Sequence, residues 1–277
     1  MPMTNELTQF MWDVPECGFQ VAEVQRWLGQ KADDPPQLFL TRATTGDTYS
    51  AYRYAPLLAH TGLFKTFAAT EPAPDGILTF ANKYGWLGAE SLLIDAPAQR
   101  GERLSVWTTE ISRMRRLVDL WEMAERKDIK ALRQHIVWYD NEAVELRHRT
   151  PPMETYAWVA SAQINADILA RLTPGDVIEP AYYYLQSAIN QALKGKVSPG
   201  MLWDEGRLGL YQVPSSLLGA MWLQFAQAID TGPEFRKCAQ CRTWFAVSLD
   251  ASRKSRRYCS DACRAKAYRN RKQEKTA

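Results

Sequence analysis

The sequence predicts a mainly α-helical protein with small β hairpins, in which a large N-terminal body precedes a short C-terminal module. Three observations lead to this class. Long stretches carry apolar residues at steps of three and four, as amphipathic helices do. Gly232-Pro233 breaks the last of these stretches. Beyond this break, four cysteines stand in two close pairs. We therefore predict a helical body over residues 1–233 and a four-cysteine module over residues 234–277.

The first part of the body is predicted to combine helices with one pair of strands. Phe19 to Leu28 has the apolar spacing of an amphipathic helix. QLFLTRATTGDTYSAYRY, residues 37–54, is typical of two strands joined by a turn at Thr45-Gly46-Asp47. Two short helices are predicted to follow, over Leu57–Phe67 and Ile77–Leu87.

The stretch FANKYGWLG, residues 80–88, places Gly85 and Gly88 among aromatic residues. We interpret it as a packed corner of the fold, because aromatic side chains beside glycines most often fill a core. The alternative is that this stretch forms the wall of a ligand pocket.

The clearest helical pattern runs from Leu104 to about Lys127. Its apolar stripe consists of Trp107, Ile111, Met114, Val118 and Trp121. Such a stripe is typical of a packed core. The helical pattern is predicted to continue over Ala131–Trp138, whereas Ala143–Arg149 alternates like a strand.

The remainder of the body is predicted to be helical except for one hairpin. Helices are predicted over Tyr156–Leu172 and Pro180–Leu193, and Met201–Val213 has the pattern of a hairpin. Pro214-Ser215-Ser216 is predicted to cap a last helix that Gly232 ends.

The four cysteines Cys238, Cys241, Cys259 and Cys263 are spaced as C-x2-C, seventeen residues, and C-x3-C. Two thiolates in one tight turn can reach a single ion, and a second pair completes a tetrahedral shell. The spacing therefore predicts one structural zinc ion. The alternatives are disulfides or unrelated thiols. Because MPMTNELTQFMW has neither a basic segment nor an apolar core of a secretory signal, we expect a cytoplasmic protein in which disulfides are disfavoured.

The residues around the cysteines indicate how the module is built. Phe245 and Val247 are predicted to form a short strand that turns back through Asp250 to Lys254. Ser260-Asp261 is typical of a helix start, which places one cysteine just before the helix and the last one in its first turn. The expected order of knuckle, hairpin and ligand-bearing helix is treble-clef-like.

This segment resembles the C-terminal zinc finger of the bacterial CGNR family of transcriptional regulators. The matching pieces are the CAQC pair, Trp244-Phe245, the basic RRYCS entry to the second pair, and Cys263 with the basic residues after it. The CGNR tetrapeptide itself is absent, since Arg264-Ala265-Lys266 stands at its place, and the second pair is one residue closer. The resemblance covers about 40 of the 277 residues. It implies a zinc site, double-stranded DNA as partner, and a role in transcription regulation.

The charge is divided between the two predicted parts. From Arg236 to Ala277 the sequence has 13 Lys and Arg against 3 Asp and Glu, whereas the remainder has 21 against 28. A basic terminal module on an acidic body indicates a polyanionic partner. The acidic body is expected to serve dimerisation, giving a homodimer, or the sensing of a small-molecule effector that the sequence does not specify.

The basic helix after the second cysteine pair is the predicted nucleic-acid-binding element, because the metal would hold it at a set angle. The predicted contact residues are Arg256, Arg257, Arg264, Lys266, Tyr268, Arg269, Arg271 and Lys272. The alternative function is a protein-interaction adaptor, in which the zinc-stapled helix binds an acidic protein partner.

Catalysis and membrane insertion are not expected. The three histidines, His60, His135 and His148, are far apart in sequence, and no phosphate-binding or nucleophile motif occurs. We therefore predict no catalytic residues and no enzymatic activity. No apolar run approaches the ~20 residues that a membrane span requires.

Overall fold

The structure is a computed structural model that describes residues 10–31, 34–44, 49–94, 99–150, 153–204, 206–247 and 256–274. It is 40% helix and 28% strand, and the described residues form nine helices and five sheets. The predicted mainly α-helical class is therefore wrong, and the protein has a mixed α and β fold. The chain divides into two compact units. A first unit combines residues up to Ser112 with those from Gly195 onward, and a second unit comprises Arg113–Lys194.

The N-terminal part of the first unit alternates short strands with short helices. Its elements are β1 Trp12–Pro15, β2 Phe19–Val24, β3 Gln37–Arg42, β4 Ala51–Tyr54, α1 Pro56–Ala59, α2 Leu63–Ala68, α3 Pro74–Tyr84, β5 Leu92–Ile94, β6 Gln99–Arg103 and α4 Leu104–Glu125. The strands form a four-stranded antiparallel sheet in the order β2-β3-β6-β5 and a separate pair, β1-β4.

The second unit, into which α4 continues, is built around a three-stranded sheet. Its further elements are α5 Ile129–Leu132, β7 Ile136–Tyr139, β8 Ala143–Thr150, β9 Met153–Ser161, α6 Ala166–Leu169 and α7 Ile178–Leu193. The strands pair antiparallel in the order β7-β8-β9, with a bulge between Val144 and Glu145.

The C-terminal part of the chain returns to the first unit. Its elements are β10 Val197–Asp204, β11 Arg207–Pro214, α8 Leu217–Thr231, β12 Glu234–Lys237, β13 Trp244–Val247 and α9 Asp261–Glu274. Among the described residues, no helix is both long and apolar enough to cross a membrane.

Helix α8 lies at the centre of the first unit. It is apolar on nearly all sides, and its residues from Leu217 to Phe225 are all buried, as expected of a core helix. The Phe225 ring stacks on Phe64 of α2 with 5.2 Å between ring centroids. The predicted start of this helix is confirmed, because the Ser216 side chain caps it by accepting a hydrogen bond from Gly219 N at 3.0 Å. Its predicted end at Gly232 is confirmed as well. The domain boundary proposed beyond it stays a prediction.

Several elements follow the predictions closely. Helix α4 is confirmed, and all five apolar positions of its predicted stripe are buried. Helix α7, strand β8 and the β10-β11 hairpin lie where their patterns placed them, whereas α3 begins and ends three residues earlier than predicted. Glu205, between the two strands of this hairpin, lies outside the described residues.

Two predicted helices are strands in the structure. Phe19–Val24 forms β2 rather than a helix, and Met153–Ser161 forms β9 at the start of the helix expected over Tyr156–Leu172. Both are rich in β-branched or aromatic residues, and each pairs along its full length with a neighbouring strand. Pairing across the sheet therefore outweighed a helical spacing that was only approximate.

Three further predictions are corrected. The helix expected over Ala131–Trp138 ends at Leu132, and β7 begins four residues later. The helix expected over Leu57–Phe67 is divided into α1 and α2. The two strands within residues 37–54 form, but β3 pairs with β2 and β6, whereas β4 pairs with β1. Their predicted turn at Thr45-Gly46-Asp47 lies outside the described residues.

Candidate metal centre

The first cysteine pair lies in the turn of the β12-β13 hairpin. Cys238 N donates to Thr243 O at 2.9 Å, and Arg242 N donates to Cys238 O at the same distance. Arg242 has φ 62°, a left-handed conformation that is costly for a residue with a side chain and closes the turn tightly. The C-x2-C segment therefore folds into a knuckle with both sulfurs on one side. The strand predicted at Phe245 and Val247 is confirmed as β13, while its predicted return through residues 250–254 lies outside the described residues.

The second cysteine pair is positioned by the start of α9. Cys259 directly precedes Ser260, whose hydroxyl accepts a hydrogen bond from Cys263 N at 3.3 Å, as an N-cap does. Asp261 opens the helix and Cys263 lies in its first turn. The helix start predicted at Ser260-Asp261 is confirmed.

A backbone hydrogen bond and the side chain of Arg256 connect the segments that carry the two cysteine pairs. Ala239 N, in the first knuckle, donates to Arg257 O at 3.0 Å. The Arg256 guanidinium donates to Tyr258 O at 2.9 Å and also to Cys259 O, and it lies over the Phe245 ring at 5.5 Å. Arg256, predicted as a nucleic-acid contact, thus supports the turn that carries the second pair. Its nucleic-acid contact stays a prediction.

The four sulfurs converge on one point. All lie within 4.8 Å of one another, and the Cys259 sulfur is 3.5 Å from that of Cys241 and 3.6 Å from that of Cys263. In a tetrahedral zinc–thiolate site, bonds of about 2.3 Å place the sulfurs about 3.8 Å apart. A disulfide would require about 2.05 Å, so these cysteines are free thiols. The group could hold a metal ion.

The pKa values of the cysteine thiols differ because their surroundings differ. Cys238 is fully buried, and although burial raises its pKa, backbone N–H groups of Cys241, Cys259 and Gln240 lower it to about 6. Burial raises the pKa of Cys259 to about 12, and hydrogen bonds to the other sulfurs act in the same direction. A metal ion that binds here must therefore displace the proton of Cys259.

The β12-β13 hairpin is fastened to α2 and the turn before it. Trp244 N donates to the Thr66 hydroxyl at 3.2 Å, and Ala246 N donates to the Thr61 hydroxyl at 3.0 Å. Gly62 lies so close that an added Cβ would come within 2.8 Å of the Trp244 carbonyl. The Phe235 ring meets Phe64 edge-on at 5.3 Å. The metal-binding hairpin therefore packs on the rest of the first unit.

The residues predicted to contact nucleic acid lie on α9 and on the turn before it. Those with exposed side chains are Arg256, Arg257, Arg264, Lys266, Tyr268, Arg269 and Arg271. Arg264 forms an ion pair with Asp261 at 3.1 Å, and Arg271 donates to the Tyr258 hydroxyl at 3.1 Å. Lys272 lies in α9, and its side chain is outside the described residues. The structure thus brings these residues onto one helix and the turn before it.

No histidine joins the cysteines. Within the described part of the chain, the four cysteines form the one group of His, Cys, Asp or Glu side chains close enough to hold a metal ion. The fifth cysteine, Cys17, lies outside it. Sequence reasoning missed Thr243, whose hydroxyl hydrogen-bonds the Cys241 sulfur at 2.9 Å. Thr243 stands two residues after the second cysteine of the pair, and this position is the feature of the sequence from which the contact could have been predicted.

Comparisons with known proteins add no relative: no family model, no curated protein and no solved structure matches the chain. The function must therefore be argued from the site itself.

Proposed function

We propose that the protein is a zinc-dependent DNA-binding protein that acts as a transcriptional regulator. The observation that carries this proposal is that two of the four convergent cysteines lie at the start of α9, a helix with four exposed basic side chains, those of Arg264, Lys266, Arg269 and Arg271. The resemblance of this segment to CGNR-type fingers supports the same function.

Zinc is the metal that suits the donor set. Four thiolates arranged without an open position are typical of structural zinc sites, in which the ion supplies folding energy rather than catalysis. When bound, zinc would hold the knuckle of Cys238 and Cys241 against the start of α9. The described finger has no histidine or carboxylate in the group to activate a water molecule.

The faces of α9 have different surroundings. Cys263 and Ala267 lie one turn apart on the same face of the helix, and Ala267 is buried. Successive residues turn by about 100°, so Tyr268 and Arg269 lie on the opposite side, with Arg264 and Lys266 towards its two flanks. All four are exposed. A helix that is anchored on one face and basic on the other and its flanks suits a groove with phosphates on both sides.

Electrostatics favour a polyanion over a neutral partner. The chain from Arg236 onward has 13 basic and 3 acidic residues, and arginine predominates in it. Arginine can form paired hydrogen bonds with a phosphate or with the edge of a guanine through a rigid planar fork of donors, whereas lysine presents a flexible point charge. The proposal therefore places the α9 arginines against DNA.

The double substitution Arg264→Ala with Arg269→Ala tests this placement. We expect each substitution to weaken binding to a fluorescently labelled DNA duplex by about 1–3 kcal/mol where the arginine contacts a base, and by less where it contacts phosphate only. Each lost phosphate contact should also reduce the slope of log K against log salt concentration by about 0.9. Zinc content should not change. Fluorescence anisotropy at two or more salt concentrations measures both effects.

The matched control is Arg26→Ala with Arg133→Ala, which removes two exposed arginines outside the finger. If the control weakens binding as much as the α9 variant, the interaction is unspecific attraction and the placement is wrong. If the wild-type protein fails to bind duplex DNA at low salt, the acidic-protein partner replaces DNA as the better proposal.

A further inference from the structure

The β10-β11 hairpin of the first unit presents an apolar face to solvent. Met201 lies opposite Leu210, and Trp203 lies opposite Leu208, at neighbouring positions of the same antiparallel ladder. Because residues two apart in a strand share a face, as do directly opposed residues, these four side chains form one continuous group. Each of them is between 57% and 68% exposed. A contiguous apolar group of this kind marks an interaction surface rather than the scattered apolar residues of an ordinary surface.

The opposite face of the hairpin is covered. It carries Tyr211, which is buried and lies so close to Gly209 that an added Cβ would come within 2.8 Å of the ring. Both strands contact the core helix α8, and Ser215 N donates to Lys196 O at 2.9 Å where the hairpin joins this helix. The hairpin is therefore fastened to the first unit, with the apolar group on its other face.

The exposed area of this apolar group matches what a dimer interface requires. The exposed parts of the four side chains amount to roughly 500 Å² per copy. Two copies that pack through them would remove roughly 1,000 Å² of apolar surface from water. Because about 65% of a homodimer interface is apolar, the whole interface would bury about 1,500 Å², which lies within the range of about 1,200–2,000 Å² for stable complexes.

We propose that the apolar face of the β10-β11 hairpin is a homodimer interface, in which two copies of this chain pack these faces against each other. Symmetry favours a second copy as the occupant, because a two-fold axis brings the same residues of both copies together. A face that is apolar on both of its strands is complementary to itself. The two hairpins would then stack as layers about 10 Å apart, the ordinary separation of packed sheets. This interface does not depend on the proposed DNA contact.

Light scattering coupled to size-exclusion chromatography of the full chain, without DNA, tests the proposal. Between about 1 and 100 µM protein, we expect the mass to rise from that of one chain, 31.6 kDa, to about twice that value. Leu210→Glu should raise the dimer dissociation constant at least about 100-fold, because the two-fold axis places a charge from each copy in the interface. Leu208→Ala, which only shortens an exposed side chain, should raise it about tenfold.

The matched control is Leu28→Glu, which makes the same change at a leucine of the first unit that is 69% exposed and lies outside the hairpin. It should leave the dimer dissociation constant unchanged, and circular dichroism should show the same folded spectrum for all variants. The proposal is overturned if the wild-type protein stays a monomer up to about 100 µM, since the face then has another occupant. It is equally overturned if Leu210→Glu forms dimers as the wild type does, or if Leu28→Glu loses the dimer to the same extent.

Discussion

Replacement of Cys238 by serine is expected to abolish stoichiometric metal binding and to unfold the C-terminal finger. Cys238 is fully buried, and backbone N–H groups favour its thiolate form by lowering its pKa. A serine hydroxyl stays protonated and is a poor ligand for zinc. Because a structural zinc ion supplies on the order of 10 kcal/mol of folding free energy, the finger cannot compensate with its small core. The zinc content, measured by metal analysis of the purified protein, should fall from about one zinc per chain to almost none.

Cys17→Ser is the matched control, because Cys17 lies outside the sulfur group. Its zinc content should equal that of the wild type. Full zinc content in Cys238→Ser, or an equal loss in Cys17→Ser, would show that the four sulfurs are not the metal site.

The second large effect is expected from Phe64→Ala. Phe64 is completely buried, stacks on Phe225 of α8 at 5.2 Å and meets Phe235 of the metal-binding hairpin at 5.3 Å. Truncation removes a large apolar side chain and leaves a cavity at the junction of α2, α8 and β12. The free energy of unfolding should fall by about 3–5 kcal/mol. Urea denaturation, followed by circular dichroism and tryptophan fluorescence, measures this loss.

The control for Phe64→Ala is Leu58→Ala on α1, where the side chain is 44% exposed. It should change the free energy of unfolding by less than about 0.5 kcal/mol. Zinc content should be unchanged in both variants, because neither residue touches a sulfur. A loss below about 1 kcal/mol in Phe64→Ala would contradict the packing of the hairpin on the body.

The structure shows which parts of the fold can be predicted from local sequence. Helix α4 was predictable because it carries a sustained helical stripe, and α8 because a serine cap and a terminal glycine bound its apolar run. The sequences of β2 and β9 predict helices, but pairing with the neighbouring strands β3 and β8 stabilises both as strands. The pairing of β3 with β6 is more distant in sequence, since Phe39 and Arg103 pair across 64 residues, and no periodicity records such a contact.

The candidate site also combines features that could be predicted from the sequence with features that could not. The cysteine group was predictable, because each pair is a local turn whose spacing follows from metal geometry. The contacts that dock the hairpin were not predictable from the sequence. They are hydrogen bonds from β13 to the hydroxyls of Thr61 and Thr66, which lie 185 and 178 residues away in the chain.

We propose that zinc organises a helix that binds DNA, and one titration tests this proposal most directly. A labelled random-sequence duplex is titrated at low and at physiological salt with zinc-loaded protein, with chelator-treated protein, and with protein to which zinc has been returned. We expect binding at low salt that weakens steeply as salt rises, disappears after chelation and returns with zinc. Binding that persists after chelation, or its absence at low salt from the zinc-loaded protein, would contradict the claim.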